Sequence, residues 1–168
     1  KGDGGDALFT PGAMVVLFPH VFEKLPYDPI KDLKPVARIA NSAFGLALGP
    51  GAPAEIKTLE QYLAWTKKDP RNASYATSGA GTGIHLTAEY LARLSKAPLS
   101  MVPYRGGSLA ANDLVAGQIP AQMATIPSLI EFARAGKVRF IAVSSNERLK
   151  ALPDVPTFKE QGFAQLVT

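Results

Sequence analysis

Cysteine is absent from the 168-residue sequence. That excludes disulfides, thiolate metal sites and cysteine nucleophiles, but it fixes no compartment. Charge is sparse: Asp, Glu, Lys and Arg together make up 19%, against roughly 25% in an average soluble domain. Even so, no run of about eighteen apolar residues occurs, so no transmembrane helix is expected. Lys1-Gly2-Asp3-Gly4-Gly5-Asp6 lacks the basic start and apolar stretch of a secretion signal. Basic clusters are missing as well. The net charge is +4, yet Lys67-Lys68 is the longest basic run. A nucleic-acid binder would cluster its cations beside exposed aromatics. Here the charge suits solubility or the attraction of small anions.

What the chain does have is enough apolar mass, 46% of residues, to bury a real core. Two hydrophobic periodicities alternate along it. Ala7-Leu8-Phe9-Thr10 reads as a short strand. Ala13 to Phe18 reads as helical, with Pro19 interrupting that helix or opening a second short one. Lys24 to Pro29 is a proline-bound loop. Val36 to Leu48 reads as one or two strands, Phe44 to Leu48 the clearer part, closed by Gly49-Pro50-Gly51-Ala52-Pro53. A βαβα pattern follows. Thr58 with Gln61 forms a capping box for a helix running to Lys68. Ala73 to Thr77 is a strand, and Ile84 to Ser95 an amphipathic helix with Leu86, Tyr90, Leu91 and Leu94 on one side. Leu99 to Val102 is a strand, and Ser108 caps a helix stopped at Gly117. Pro120 to Thr125 is a strand, Ser128 starts a helix ending at Gly136, and Val138 to Val143 is a strand. A short helix is expected near Phe158 to Gln161, and Ala164 to Thr168 reads as the start of a strand. Strands alternating with helices of about ten residues predict an α/β fold with a mainly parallel sheet flanked by helices.

The sharpest local feature is Thr77-Ser78-Gly79-Ala80-Gly81-Thr82-Gly83, between a predicted strand and a predicted helix. A helix N-terminus offers unpaired N–H groups and a partial positive charge. Glycines let an anion reach the backbone, and Ser78 and Thr82 add hydroxyls. This suits a carboxylate or phosphate. A dinucleotide fingerprint would place the third glycine differently and follow it with an acid. A P-loop would need Gly-Lys-Ser/Thr, which does not occur. The pattern alone leaves two readings open, an anion site and a ligand-free tight turn. A Ser78–His85 hydrolase would require an orienting acid and a G-x-S-x-G elbow that is absent. His85 reads instead as a brace for the loop.

Tyr75 to Leu86 resembles the S-x-G-x-G-S/T-x-x-H-L signature of the solute receptors of tripartite tricarboxylate transporters, the Bug or TctC-like family. Leu25-Pro26-Tyr27-Asp28-Pro29 with Asp32 and Pro35-Val36 is similar to its L-P-Y-D-P segment. Val102-Pro103-Tyr104-Arg105-Gly106 is similar to V-P-Y-K/R-G. Ala110, Asp113-Leu114 and Gly117-Gln118 fit the helix that follows. Ala135-Gly136-Lys137-Val138-Arg139 with Ile141-Ala142-Val143 resembles A-G-K-L/V-R-x-L/I-A-V. Arg148, Leu152 to Thr157 and Glu160-Gln161-Gly162 extend the resemblance. The motifs occur in the family's order and span nearly the whole chain.

The resemblance implies a periplasmic-binding-protein type II fold: two α/β lobes joined by a two-strand hinge, closing on a solute. Residues 1–49 would be a remnant of lobe one and 50–168 nearly all of lobe two, with Gly49-Pro50 near the first hinge crossing. The chain is thus expected to be a piece of a longer, two-lobe periplasmic protein whose signal peptide lies outside it. The implied partners are a small carboxylate solute and membrane transporter subunits. No catalysis, cofactor, metal or nucleic acid is implied, and the receptor is expected to act as a monomer. A sensor feeding a signalling partner is the alternative. By resemblance, Ser78, Gly79, Ala80, Gly81 and Thr82 contact the ligand, with His85 beside them. Tyr104 and Arg105 follow the next strand at the same sheet edge, where ligands of parallel sheets collect. Thr125 follows another strand there. Family members often carry an acid near that position, and a hydroxyl suits an anion better. Pro11 and Gly12 are expected as a surviving lobe-one contact.

Overall fold

The computed structural model describes residue 10 and residues 12–167. Its centre is a five-stranded sheet in the order β3-β2-β4-β1-β5. The strands are β1 (Phe44–Leu48), β2 (Ser74–Thr77), β3 (Ser100–Pro103), β4 (Ala121–Thr125) and β5 (Arg139–Val143). β2 pairs parallel with β3 and with β4. β1 runs antiparallel between β4 and β5. Four strands therefore share one direction and β1 opposes them: the α/β fold with flanking helices is as expected, while the antiparallel pairing of β1 with both neighbours makes the sheet mixed rather than mainly parallel.

Side chains alternate across this sheet with the two-residue period of a strand. Leu46, Leu48, Tyr75, Met123 and Ile141 fill one core. Ala47, Ala76, Ala124, Phe140 and Val143 join the other. A register shift between Leu46 and Ala47 opposite β5 skips Ile141. This bulge turns Phe140 and Val143 to the same side, three positions apart. Helix α3 (Leu59–Thr66) and helix α4 (Gly83–Ser95) cover the first face, and α5 (Gly107–Val115) and α6 (Ile126–Arg134) the second.

The helices start where local chemistry dictates. Thr58 Oγ1 accepts the Gln61 N–H at 3.2 Å and Gln61 Oε1 accepts the Thr58 N–H at 3.2 Å, the expected capping box. The helix ends at Thr66, two residues before Lys68. Asp69 then caps a short 3-10 turn, Pro70–Ala73. α5 is capped by Gly106, whose φ of 115° only glycine adopts readily, so Ser108 lies inside the helix rather than at its cap. α6 starts at Ile126, ahead of Ser128, because Pro127 sits comfortably in a first turn. In α4 the buried residues are Ile84, Thr87, Ala88 and Leu91. Tyr90 and Leu94 of the predicted apolar side are 40% and 37% exposed.

Near the N-terminus, α1 (Gly12–Val16) and α2 (Phe18–Val21) bear out the second short helix at Pro19. The predicted strand at Ala7 to Phe9 lies outside the described residues, and Thr10 has no regular structure. Val36 and Ile39 belong to no strand and are 91% and 76% exposed. The helix expected near Phe158 is instead a series of turns. Pro156 and Gly162, the latter at φ 91°, leave room for one turn only. Within it Glu160 takes the Thr157 N–H at 2.7 Å and Thr157 Oγ1 takes the Glu160 N–H at 3.0 Å. Ala164–Leu166 is a 3-10 turn rather than a strand, and it drives Leu166 into the first core.

The direction of β1 matters for the site. Phe44 pairs with Thr125 and Leu48 with Ala121. The chain thus enters the sheet at the edge where β2 and β4 end, and leaves it at the opposite edge. Gly49, expected at the hinge crossing, lies at that opposite edge. β1 falls within residues 1–49 yet lies between β4 and β5 in the sheet formed by residues 44–143, so this layer draws a strand from the segment assigned to lobe one.

Candidate functional site

β2 ends at Thr77, and the loop Ser78 to Thr82 turns directly into α4. Gly79 and Gly81 have φ of 146° and 76°, in the region that favours glycine. Three internal bonds hold the loop. Thr82 Oγ1 donates to the Gly79 carbonyl at 2.9 Å and accepts the His85 N–H at 3.3 Å. The Gly81 N–H donates to His85 Nδ1 at 3.1 Å. The other imidazole nitrogen lies 3.6 Å from a Glu89 carboxylate oxygen, which in turn accepts the Tyr75 hydroxyl at 2.8 Å. His85 is therefore engaged on both nitrogens within the protein, and no hydrogen bond joins it to Ser78 among the described residues. The Gly81 N–H is spent on this brace. Of the first N–H groups of α4, that of His85 is taken by Thr82 Oγ1, and those of Gly83 and Ile84 remain as donors with no intrahelical acceptor.

His85→Ala removes the acceptor of the Gly81 N–H. We expect a loss of about 1 kcal/mol in stability and faster amide exchange at Gly81. Unchanged exchange at Gly81 would show that His85 does not hold the loop.

At the same sheet edge lies a cavity of about 220 Å³, lined in part by Ser78, Gly107, Ser108, Gln122, Thr125 and Ser128. Its walls also include Ile84 in the first turn of α4. Three helix N-termini, those of α4, α5 and α6, thus converge on one small space. α4 and α5 bring N–H groups without an intrahelical acceptor; in α6 the Ile126 N–H goes to the Ala43 carbonyl at 3.4 Å and Pro127 has none, which leaves that of Ser128. Each helix also brings the positive end of its dipole. None of the lining residues is charged. Without a carboxylate in the wall, such a space favours an anion. Among the described residues no three His, Asp or Glu side chains gather as a metal site.

The remaining expected site residues fall in different places. Thr125 lines the cavity, caps α6 and donates from Oγ1 to Ser128 Oγ at 3.3 Å; Ser128 Oγ donates to the Thr125 carbonyl at 2.6 Å. Tyr104 follows β3, with its N–H on the Thr77 carbonyl at 3.0 Å. Its hydroxyl donates to Asp113 at 2.7 Å, and that bond pushes its pKa up. Tyr104 thereby ties the strand end to α5. Arg105 is exposed and makes no ion pair among the described residues. Pro11 lies outside the described residues. Gly12 opens α1, and a Cβ there would meet nothing within 4 Å. A second cavity of about 350 Å³ lies between the N-terminal helices and α4, with Ala13, Leu17, Phe44, Leu86 and Tyr90 among its walls. It is mostly apolar and lacks converging polar groups. α2 also reaches the glycine loop itself, since a Cβ on Gly81 would lie 3.3 Å from Val21 and 3.4 Å from the Phe22 ring.

This arrangement has relatives. The family model for the tripartite tricarboxylate transporter family receptor, TctC, matches residues 4–168. The chain belongs to the TctC receptor family. Among curated relatives, the UPF0065 protein in the gbd 5' region of Cupriavidus necator is 33% identical over 145 residues, covering 86% of this chain and 43% of that protein. A solved structure described as a periplasmic transporter superposes with a TM-score of 0.85 at 36% identity, covering 93% of this chain and 52% of that one. MatC from Rhodopseudomonas palustris, solved with bound malate, superposes at 0.78 with 30% identity, covering 93% and 51%. The chain spans about half the length of the curated relatives it matches. BugD, described as a periplasmic binding protein, superposes at 0.68 with 26% identity, covering 76% of this chain and 42% of that one.

Besides Ile84, Met123, Ala124 and Ser128, sequence reasoning missed Gly107, Ser108 as a wall rather than a cap, and Gln122 among the lining residues of this TctC-family chain. For Gln122 a signal exists. It is the single polar residue in Ala121-Gln122-Met123-Ala124, at a position where both faces of the strand are covered.

Proposed function

We propose that this chain forms one side of the interlobe cleft of a periplasmic receptor, which captures a small carboxylate there and delivers it to a tripartite tricarboxylate-type membrane transporter. The observation that carries the proposal is the uncharged cavity into which three helix N-termini and several hydroxyls converge. Charge-assisted hydrogen bonds from such donors are short and strong. They need no counter-charge from the wall. Ser78 and the first turns of α4, α5 and α6 would hold the carboxylate. Gly79 and Gly81 shape the loop, Thr82 and His85 brace it, Thr125 borders the space, and the exposed Arg105 is proposed to meet the solute from the end of β3.

The division expected from the sequence falls between residues 49 and 50; the pairing of β1 with β4 and β5 favours moving it ahead of Phe44, where the chain enters the sheet at the site edge. Lobe one would close over that edge by a hinge motion. Binding rather than turnover is the proposed activity. Ser78 and His85 share no hydrogen bond among the described residues, and His85 Nδ1 is taken by the Gly81 N–H, so the nucleophile–base contact that a hydrolase requires is missing. No helix among the described residues is long and apolar enough to cross a membrane, and membrane contact is assigned to the transporter subunits.

Calorimetry of the full-length protein with mono- and dicarboxylates, amino acids and aromatic carboxylates tests the proposal. A 1:1 exothermic isotherm with at least one carboxylate is expected. Silence across the panel would overturn it.

A further inference from the structure

We propose that Gln122 is a specificity residue that selects carboxylates carrying a second hydrogen-bond donor, a hydroxyl or an amino group. The inference deepens the receptor reading and rests on it. Gln122 lies in β4 between Ala47 of β1 and Ala76 of β2, its partners in register. All three are fully buried. The surrounding layer is otherwise apolar, with Ala110, Leu114 and Leu129 packed over it. A full amide has been placed where neighbouring strands present only methyl groups.

The amide is half satisfied. Nε2 donates to the Gly107 carbonyl at 3.4 Å. Oε1 has no partner among the described residues. Turning the amide over would set Oε1 against that carbonyl oxygen, so the free atom is the acceptor. Buried acceptors in folded proteins are almost always paired. This one belongs to a residue lining the 220 Å³ cavity.

The cavity therefore asks for two kinds of group at once. The helix N-termini offer donors and favour anionic oxygen. Gln122 Oε1 offers only lone pairs, which repel a carboxylate oxygen and attract O–H or N–H. A solute with both a carboxylate and a neighbouring donor satisfies every lining group. A donor-free carboxylate leaves Oε1 unpaired, and sites built to hydrogen-bond a substrate group reject analogues that lack it.

The test is calorimetry of the full-length protein with matched pairs: succinate and malate, glutarate and 2-hydroxyglutarate, propionate and lactate. The donor-bearing member of at least one pair is expected to bind about tenfold tighter. In Gln122→Met, nearly the same volume without the acceptor, that ratio should fall to about twofold or less, with affinity for the donor-free member kept. Where the variant does not fold, a structure of the wild-type complex decides, and a solute O–H or N–H within about 3.2 Å of Oε1 is expected. Equal binding of both members by the wild type overturns the inference, as it would if a trapped water served Gln122. Retention of the full ratio in Gln122→Met, or a complex with Oε1 facing no donor, also overturns it. In those cases the receptor reading stands. Failure of every carboxylate to bind overturns both.

Discussion

Gly49→Ala is expected to cost about 3 kcal/mol of stability, at the upper end of the range for overpacked interiors. A Cβ on Gly49 would run into the carbonyl oxygen of Leu114, and its next neighbours are the Leu114 Cδ1 at 2.9 Å and carbonyl carbon at 3.0 Å. The obstacle is backbone at the last turn of α5, which cannot step aside as a side-chain tip can. Gly49 is itself pinned: its N–H donates to the Pro120 carbonyl at 3.0 Å and its carbonyl accepts the Ala52 N–H at 3.1 Å. To admit a methyl group, α5 must lift from the sheet, and with it the Gly106-Gly107 end that borders the cavity. The midpoint of urea unfolding measures this. A variant within about 0.5 kcal/mol of the wild type would show that α5 docks more loosely than the structure has it.

Phe158→Ala is expected to cost about 4 kcal/mol, as large-to-small changes at fully buried aromatics do. Phe158 is 0% exposed and joins the core of Tyr62, Leu91 and Ile141. Its N–H donates to the Val143 carbonyl at 2.9 Å, beside the isolated parallel bridge of Val143 with Thr157. The Phe158 ring thus anchors the turn-rich segment 144–163 to the sheet, beside the Thr157 bridge and the bond from Gln161 Nε2 to the Ile141 carbonyl at 2.9 Å. Thermal unfolding should show the loss, and limited proteolysis should cut first within 144–163. A melting temperature unchanged from the wild type would mean that the ring fills space the core can close without it.

The elements that sequence reasoning placed best were those where local and global signals agree. The capping box at Thr58 and Gln61 and the strand at Val138 to Val143 are examples; so is the glycine-bounded turn into α4. Misreadings came where one residue type serves two purposes. Ser108 has the chemistry of a cap, but Gly106 reaches a backbone conformation that serine avoids. Val36 and Ile39 have strand propensity and no sheet partner, and propensity without a partner forms nothing. Around Phe158, one turn between Pro156 and Gly162 is too short for a helix. The candidate site was legible as a loop but not as a cavity. Ser78 and Thr125 were found because each follows a strand. Gln122 was not found, because its importance lies in an unpaired oxygen, and pairing is a property of three dimensions.

The position of β1 also sets the order in which the sheet can be completed. Phe44 donates its N–H to Ser144 Oγ at 2.9 Å and accepts the Ser144 N–H at 2.8 Å, across 100 positions of sequence. The parallel unit of β2, β3 and β4 needs only shorter closures. Contacts this distant pay their loop-closure entropy before they return any stability. The seam between β1 and β5 is therefore expected to be the last in the sheet to close. During synthesis β1 has no strand to pair with until β4, at residues 121–125, has been made, and its second partner comes only with β5.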